Sequence, residues 1–382
     1  MLAYQALAET GSPTFVGLVV ALIALAGLVA SIPSGRLLDR FGGAKVGSVG
    51  IAVSLVGVIG GLISHDVVGI LITSVLVGAG CSQVVVAQQG IVSRLSVASS
   101  TDAAFGRLTA AVSIGQLVGP PVVTMAAIAF SDGGAQPNTW TGSAAAGLLF
   151  LIVLPAFFVL RRAEQAAPPL RRLPDPGVAS LRTLLRNPGI LRAILVGTAV
   201  IVTVDLLSSF VPVWAVENGI PADVVGWLLA LRALFTIAGR FGSARLVARF
   251  GRKTLLIVTL SLAVLALVLL PFAGVWAALP IMAGLGIGLG LPQPLTLVWM
   301  SNLAPPQARG AVFGARMAVN KLGQVSLPVV VATLAGPVGV FPMFWATAAI
   351  LASGLVIVAG SSAAELASGP IDDFDHGSPD SP

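Results

Sequence analysis

GLVVALIAL at residues 17–25 returns as GWLLALRAL at 226–234, and RLLDRFG at 36–42 returns as RLVARFG at 245–251. Both recurrences have one offset, 209 residues (226 − 17 and 245 − 36). A second echo lies at offset 208: Phe105, Gly106, Gly115, Gln116 and Pro120 return as Phe313, Gly314, Gly323, Gln324 and Pro328. Chance explains two separate regions sharing nearly one offset poorly. The chain reads as one unit written twice, each residue of the first copy having a mate in the second.

Outward from these stretches, the chain is 56% hydrophobic and 9% charged over 382 residues, with 44 Gly and 25 Pro. Soluble domains carry about 25% charged residues, so this chain lacks the polar groups to cover itself in water. The lipid bilayer is its expected solvent and first partner. Apolar spans long enough for the ~30 Å hydrocarbon core run over 14–34, 46–64, 67–92, 107–130, 141–160, 190–213, 222–243, 254–273, 275–300, 310–335 and 338–360. The expectation is all-α with eleven transmembrane helices, five and six, in two parallel repeated halves. The halves are 1–160 and 190–361, joined by a basic linker at 161–189 and followed by a disordered acidic tail at 362–382.

The repeat accounts for the odd count. Span 14–34 is the mate of 222–243, the second span of its half. The first span there, 190–213, has its mate before the chain begins, with only Leu2 to Tyr4 remaining. A first helix preceding this chain is therefore expected.

Charge orients the spans. Arg36, Arg40, Lys45, Arg94, the linker arginines, Arg245, Arg249, Arg252, Lys253 and Arg309 fall on one side; Glu9, His65, Asp66, Asp132, Glu217 and Asp223 fall on the other. The positive-inside rule makes the basic side cytoplasmic, with the linker and C-terminus there and the plasma (inner) membrane as the location. The same rule reads the pI near 10.6 as orienting charge and not as a nucleic-acid surface. Cys81 is the only cysteine, and His65 and His376 stand far apart. No internal disulfide, metal-ligand spacing, phosphate loop or cofactor is expected.

GRLLDRFGGAK at 35–45 resembles the loop signature of the major facilitator superfamily, G-x-L-x-D-R-x-G-R-K. Gly35, Leu37, Asp39, Arg40 and Gly42 match; Gly43 and Ala44 replace the basic pair. In the second copy Arg249, Gly251, Arg252 and Lys253 match, while Ala244 and Ala248 replace the Gly and Asp. Loop, repeat, span count and linker together cover nearly the whole chain. The resemblance implies the superfamily fold and a secondary transporter that exposes a central site alternately to each face. It also implies a gate latch at this loop. Gly35 lets two helices approach, and Asp39 pairs with nearby arginines and with the positive N-terminal end of a neighbouring helix. Arg40 belongs to the latch or merely orients the chain. SIGQLVGPPVV, from Ser113, partly resembles a drug–proton antiporter signature through Gly115, Gly119 and Pro120. Ser74 stands where that group carries an Arg, which weakens the antiport reading.

Charges inside spans are the candidate site, because each costs at least ~2.5–3.5 kcal/mol at the bilayer centre unless it meets a partner or a polar cavity. Asp205 is the only carboxylate well inside a span. Arg232, Arg316, Asn320 and Lys321 accompany it, and Asp205 with Arg232 or Lys321 is the natural pair. Such a pair is either a fixed structural contact or a substrate and coupling site; a cationic neighbour would keep Asp205 ionised and argue against proton carriage. Gln116 and Gln324, mates at similar depth, are cavity candidates, with inter-helix hydrogen bonding as the alternative. Trp227, Trp276 and Trp299 read as interfacial anchors, and Trp214 as part of the outer mouth.

A monomeric transporter of a small organic solute is the reading that follows. Proton-coupled efflux and uptake of a metabolite or organic anion both fit it, and the cation excess favours an anionic or zwitterionic substrate. A non-transporting receptor or inactive remnant is the alternative from another class. An enzyme would need clustered His, Cys or paired carboxylates at a membrane face, and the sequence offers none.

Overall fold

The computed structural model describes residues 2–63, 66–97, 100–129, 138–167, 181–335 and 341–367. These residues are almost wholly helical, and no strand occurs among them. The helices are α1 (Leu2–Thr10), α2 (Pro13–Phe41), α3 (Gly43–Ile63), α4 (Val67–Leu95), α5 (Thr101–Ala129) and α6 (Thr139–Ala166). There follow α7 (Leu181–Arg186), α8 (Pro188–Glu217), α9 (Ala222–Phe250), α10 (Arg252–Leu269), α11 (Val275–Gly290), α12 (Pro292–Leu303), α13 (Arg309–Ala335), α14 (Phe341–Gly360) and α15 (Ala363–Ala367).

Side-chain caps mark several starts. Ser12 Oγ accepts from Phe15 N, Asp66 Oδ1 from Gly69 N, and Asn138 Oδ1 from Trp140 N and Thr141 N. Each satisfies an N–H that a helix start leaves unpaired.

Ten helical segments among the described residues are long and apolar enough to cross a bilayer. The eleventh expected span, 310–335, is helical as α13.

The span 275–300 stands as one crossing, Val275–Leu303, marked by a single turn residue where α11 ends at Gly290 and α12 begins at Pro292. Pro292 and Pro294 lack N–H groups and crowd the carbonyls four residues earlier, Gly288 and Gly290. Three expectations are corrected. The helical start extends beyond Tyr4, since α1 reaches Thr10 and packs Ala6 against Val19 and Ile70. Residues 363–367, inside the expected disordered tail, form α15, with Leu366 1% exposed and Glu365 paired to Arg192 at 3.1 Å. Residues 368–382 and linker residues 168–180 lie outside the described residues, as does His65. Finally, Trp299 and Trp214 are buried and line no interface or mouth, whereas Trp227 and Trp276 are exposed at 75% and 84%.

Lipid is as apolar as the side chains, so close packing and hydrogen bonds hold such helices together. The largest core runs through α8–α14 and takes in Leu38, Val46, Val86, Ala87 and Phe105 from the N-terminal helices. Most of these lie toward the basic face, where the two groups of helices share a core. Toward the opposite face α5 is bare: Leu117, Val118, Val122 and Met125 are 45%, 50%, 43% and 69% exposed.

Candidate functional site

The repeated loops turn in the same way. Gly42 and its mate Gly251 have φ of 88° and 77°, a left-handed conformation that favours glycine. Each donates its N–H back to close its helix, Gly42 to Leu38 O and Gly251 to Val247 O, both at 2.9 Å. The turn brings Asp39 to the start of α13. Asp39 Oδ1 accepts from Gly310 N and Oδ2 from Ala311 N, each at 2.8 Å. Of the two expected partners, Asp39 has taken the helix N-terminus and not an arginine. Contact this close needs glycine on both sides. A Cβ at Gly35 would lie 2.2 Å from Gly310 O, and one at Gly310 would lie 2.5 Å from Gly35 O.

The second copy makes an equivalent seam between α9 and α5. A Cβ at Gly314 would strike Ser31 O at 2.5 Å; a Cβ at its mate Gly106 would strike the carbonyl of Arg240, the mate of Ser31, at 2.7 Å. The lock there differs. Ala248 stands where Asp39 would be, and the carboxylate sits instead on α5, at Asp102, the mate of Gly310. Asp102 receives Arg252 Nη2 on both oxygens, at 3.1 and 3.0 Å, and Arg252 also donates to Leu366 O. Arg40 and Arg249 do not join these locks. They are mates too, and each lies over the ring of the following Phe, at 5.0 and 5.2 Å.

Between the seams two residues meet their own mates. Ser93 and Ser301 share a hydrogen bond of 2.7 Å, and the rings of Phe105 and Phe313 lie 6.1 Å apart. A residue touches its counterpart only near the axis that relates the two copies, so that axis passes through this contact on the basic face. Arg309 closes the same region by donating to Ser93 O at 3.1 Å.

Farther from the basic face lies a charged group. Asp205 on α8 accepts from Gln324 Nε2 on α13 at 2.7 Å and feels the positive charges of Lys321 and Arg232. The Lys321 stem reaches across to α2, where its Cε lies 3.4 Å from the position of a Cβ at Gly27. Arg232 Nη2 donates to Ser208 Oγ at 3.3 Å. The structure thus groups Asp205, Arg232, Lys321 and Gln324. Gln116 is exposed on α5 and makes no hydrogen bond to this group among the described residues. Arg316 and Asn320 turn toward α8 and α12: Asn320 Oδ1 accepts from Thr198 Oγ1 at 2.6 Å, and Arg316 packs beside Gly197. Arg316 is 1% exposed, and its Nε and Nη2 have no hydrogen-bond partner.

Sequence reasoning missed Arg240, three residues from the end of its expected span, where it passes for one more orienting charge. It is 5% exposed. Nε donates to Gly290 O at 3.1 Å, Nη1 to Thr109 O at 2.7 Å and to Ser113 Oγ, and Nη2 to Gln293 Oε1. Pro294 explains the first bond, because it cannot donate to Gly290 O and leaves that carbonyl for the guanidinium. Glu164 was missed as well. Its two oxygens accept from Gly43 N and Ala44 N at 2.9 and 2.8 Å, capping α3 as Asp39 caps α13. The ion pairs among the described residues are Arg192–Glu365 and Arg252–Asp102. Arg232, Arg240, Arg316 and Lys321 therefore sit inside the helices without an ion pair among the described residues.

The sequence model of the Major Facilitator Superfamily matches residues 1–218 and 202–364. No curated protein sequence matches the chain. Among solved structures, the chain is similar to a bacterial homologue of the iron transporter ferroportin in an outward-facing state (TM-score 0.74, 15% identity, 94% of each chain covered). It is also similar to the transporter FucP in the outward conformation (TM-score 0.71, 16% identity, 90% of this chain and 89% of that one). A third similar structure is the human organic anion transporter MFSD10 (TM-score 0.70, 16% identity, 90% and 83%). At these identities the likeness concerns the fold.

Proposed function

From the premise that this chain belongs to the Major Facilitator Superfamily, we propose that it is a secondary active transporter of a small organic anion working by alternating access. The observation that supports the substrate class is the charge balance of the central group, Arg232 and Lys321 against Asp205, with Arg316 buried on the other side of α13. A charge held in lipid needs a partner or a polar cavity, and an anion arriving among these cations supplies the partner. The seams at Asp39 and Asp102 are the gate of the basic, cytoplasmic face, closed while the far ends of α5 and its neighbours stand open. Rocking of the two groups of helices parts the Ser93–Ser301 contact and exposes the charged group to each face in turn.

Asp205 is the coupling candidate. It shares its surroundings with Lys321 and Arg232, so an anion binding to those cations weakens their hold on it, and a proton can take their place. Direction follows the proton gradient and the solute gradient; efflux and uptake use the same steps.

The test is transport in proteoliposomes against a series of carboxylates, phosphates and sulfonates, with matched neutral compounds. Anions should compete and neutral analogues should not, and Lys321→Gln should raise KM about tenfold or more. Absence of competition by any anion overturns the substrate class. With Asp205→Asn, the pH dependence of transport should flatten; an unchanged pH profile removes Asp205 from coupling.

A further inference from the structure

The basic face holds a second polar site beside the gate, with cations that the gate and the transport site leave largely unengaged. Two adjoining cavities, of about 80 and 370 Å³, share Gly42, Arg94 and Glu164 as walls. The inner one reaches Asp39 and Arg309; the outer one opens past Lys45 and Arg161. Four cations therefore line it, from α3, α4, α6 and α13.

Two carboxylates also line it, and both are already engaged. Glu164 has one N–H from the start of α3 on each oxygen, and Asp39 has one from the start of α13 on each. Each of those helix starts adds roughly half a positive charge, so the negative charge is largely spent. The cations are not. Arg94 donates to Glu164 O at 3.4 Å and Arg309 to Ser93 O at 3.1 Å, both neutral carbonyls. The Nε atoms of Arg94 and Arg309 are buried without a hydrogen-bond partner. Lys45 and Arg161 are exposed at the mouth and make no hydrogen bond or ion pair among the described residues.

We infer that this pocket binds a phosphate group. Arginine presents its N–H donors as a planar fork that matches phosphate oxygens, and Arg94 sits between the two cavities with donors to spare. Lys45 and Arg161 give the mouth a positive field. The pocket lies where the helix ends leave the bilayer, so the phosphate can belong to an anionic phospholipid headgroup or to a free phosphate anion. A bound phosphate joins α3, α4 and α6 to α13, which braces the closed gate.

The experiment is a thermal melt of the purified full chain in detergent. It is titrated separately with phosphatidylglycerol, with phosphatidylcholine and with inorganic phosphate at constant ionic strength, for the wild type, Lys45→Gln/Arg161→Gln and Arg186→Gln. Phosphatidylglycerol should raise the melting temperature where phosphatidylcholine does not. The double variant should need at least tenfold more lipid for the same rise, and Arg186→Gln, outside the pocket, should match the wild type. A rise with inorganic phosphate that the double variant loses assigns the site to a free anion. No rise with either, or a rise that the double variant keeps in full, overturns the proposal. If the double variant does not fold, the single variants carry the same comparison.

Discussion

Replacing Asp39 by Asn leaves the side chain its size and one carbonyl oxygen. It removes the charge and the second acceptor, so one of Gly310 N and Ala311 N loses its bond. A capping bond to a helix N–H is worth about 0.5–2 kcal/mol, and a negative charge at a helix N-terminus about 0.3–1 kcal/mol. Together they favour the closed gate by about 1–3 kcal/mol, which sets an open-to-closed ratio roughly 5–150-fold lower than in the variant. Ser301 reports the change. It is 2% exposed and bonded to Ser93 while the gate is shut. In a Cys81→Ser background, Ser301→Cys is labelled by an impermeant maleimide from the basic face only when the gate opens. While opening is rare, the labelling rate follows the open population. Adding Asp39→Asn should raise that rate roughly 5–150-fold, and transport should fall because the outward-open state is depleted. Unchanged labelling with transport at the wild-type level would refute the latch.

Ser93→Cys/Ser301→Cys should form a disulfide under oxidation, since the two Oγ atoms are 2.7 Å apart; transport should stop and return on reduction, and a cross-linked protein that still transports would place the gate elsewhere. Gly314→Leu should force α13 away from Ser31 O and lower the melting temperature of the closed state, and Gly106→Leu should do the same at the other seam, because their Cβ positions lie 2.5 and 2.7 Å from backbone oxygens. Arg240→Met should cost about 1–3 kcal/mol for the carbonyl of Gly290 left without a donor, read as a lower melting temperature, and Arg240→Lys should not restore it, because one ammonium cannot serve α5, α11 and α12 together.

The sequence carried the spans, the duplication and the loop motif because each is written in residue type and spacing. Asp39 was expected to meet a helix N-terminus and does, yet which helix was not legible: backbone N–H groups at Gly310 and Ala311 carry no side-chain signature. Glu164 escaped for the same reason, since it too meets backbone. Asp102 and Arg252 stand 150 residues apart and outside the offset that pairs the copies, so nothing local linked them. Arg240 was hidden by its position near a span end, although Pro294 and the carbonyl it frees were there to be read. The turn between α11 and α12 was also legible in LPQP at 291–294, inside the apolar run that makes the whole stretch one crossing. Gln116 and Gln324 show the limit of the repeat. Mates share a depth and a fold position, but Asp205 has no mate inside the described residues, so only Gln324 found a partner.

Where Ser93 meets Ser301 and Phe105 meets Phe313, the molecule keeps the signature of a symmetric homodimer, in which a residue at the two-fold faces itself. Before fusion, any substitution there changed both sides at once. Afterwards each side could drift alone, and the drift is visible in where the two acidic groups ended up: Asp39 against bare peptide groups, Asp102 against a guanidinium. Dissimilar clasps need not yield together. One flank is therefore expected to part before the other, which labelling at Gly310 and at Asp102 would resolve in time.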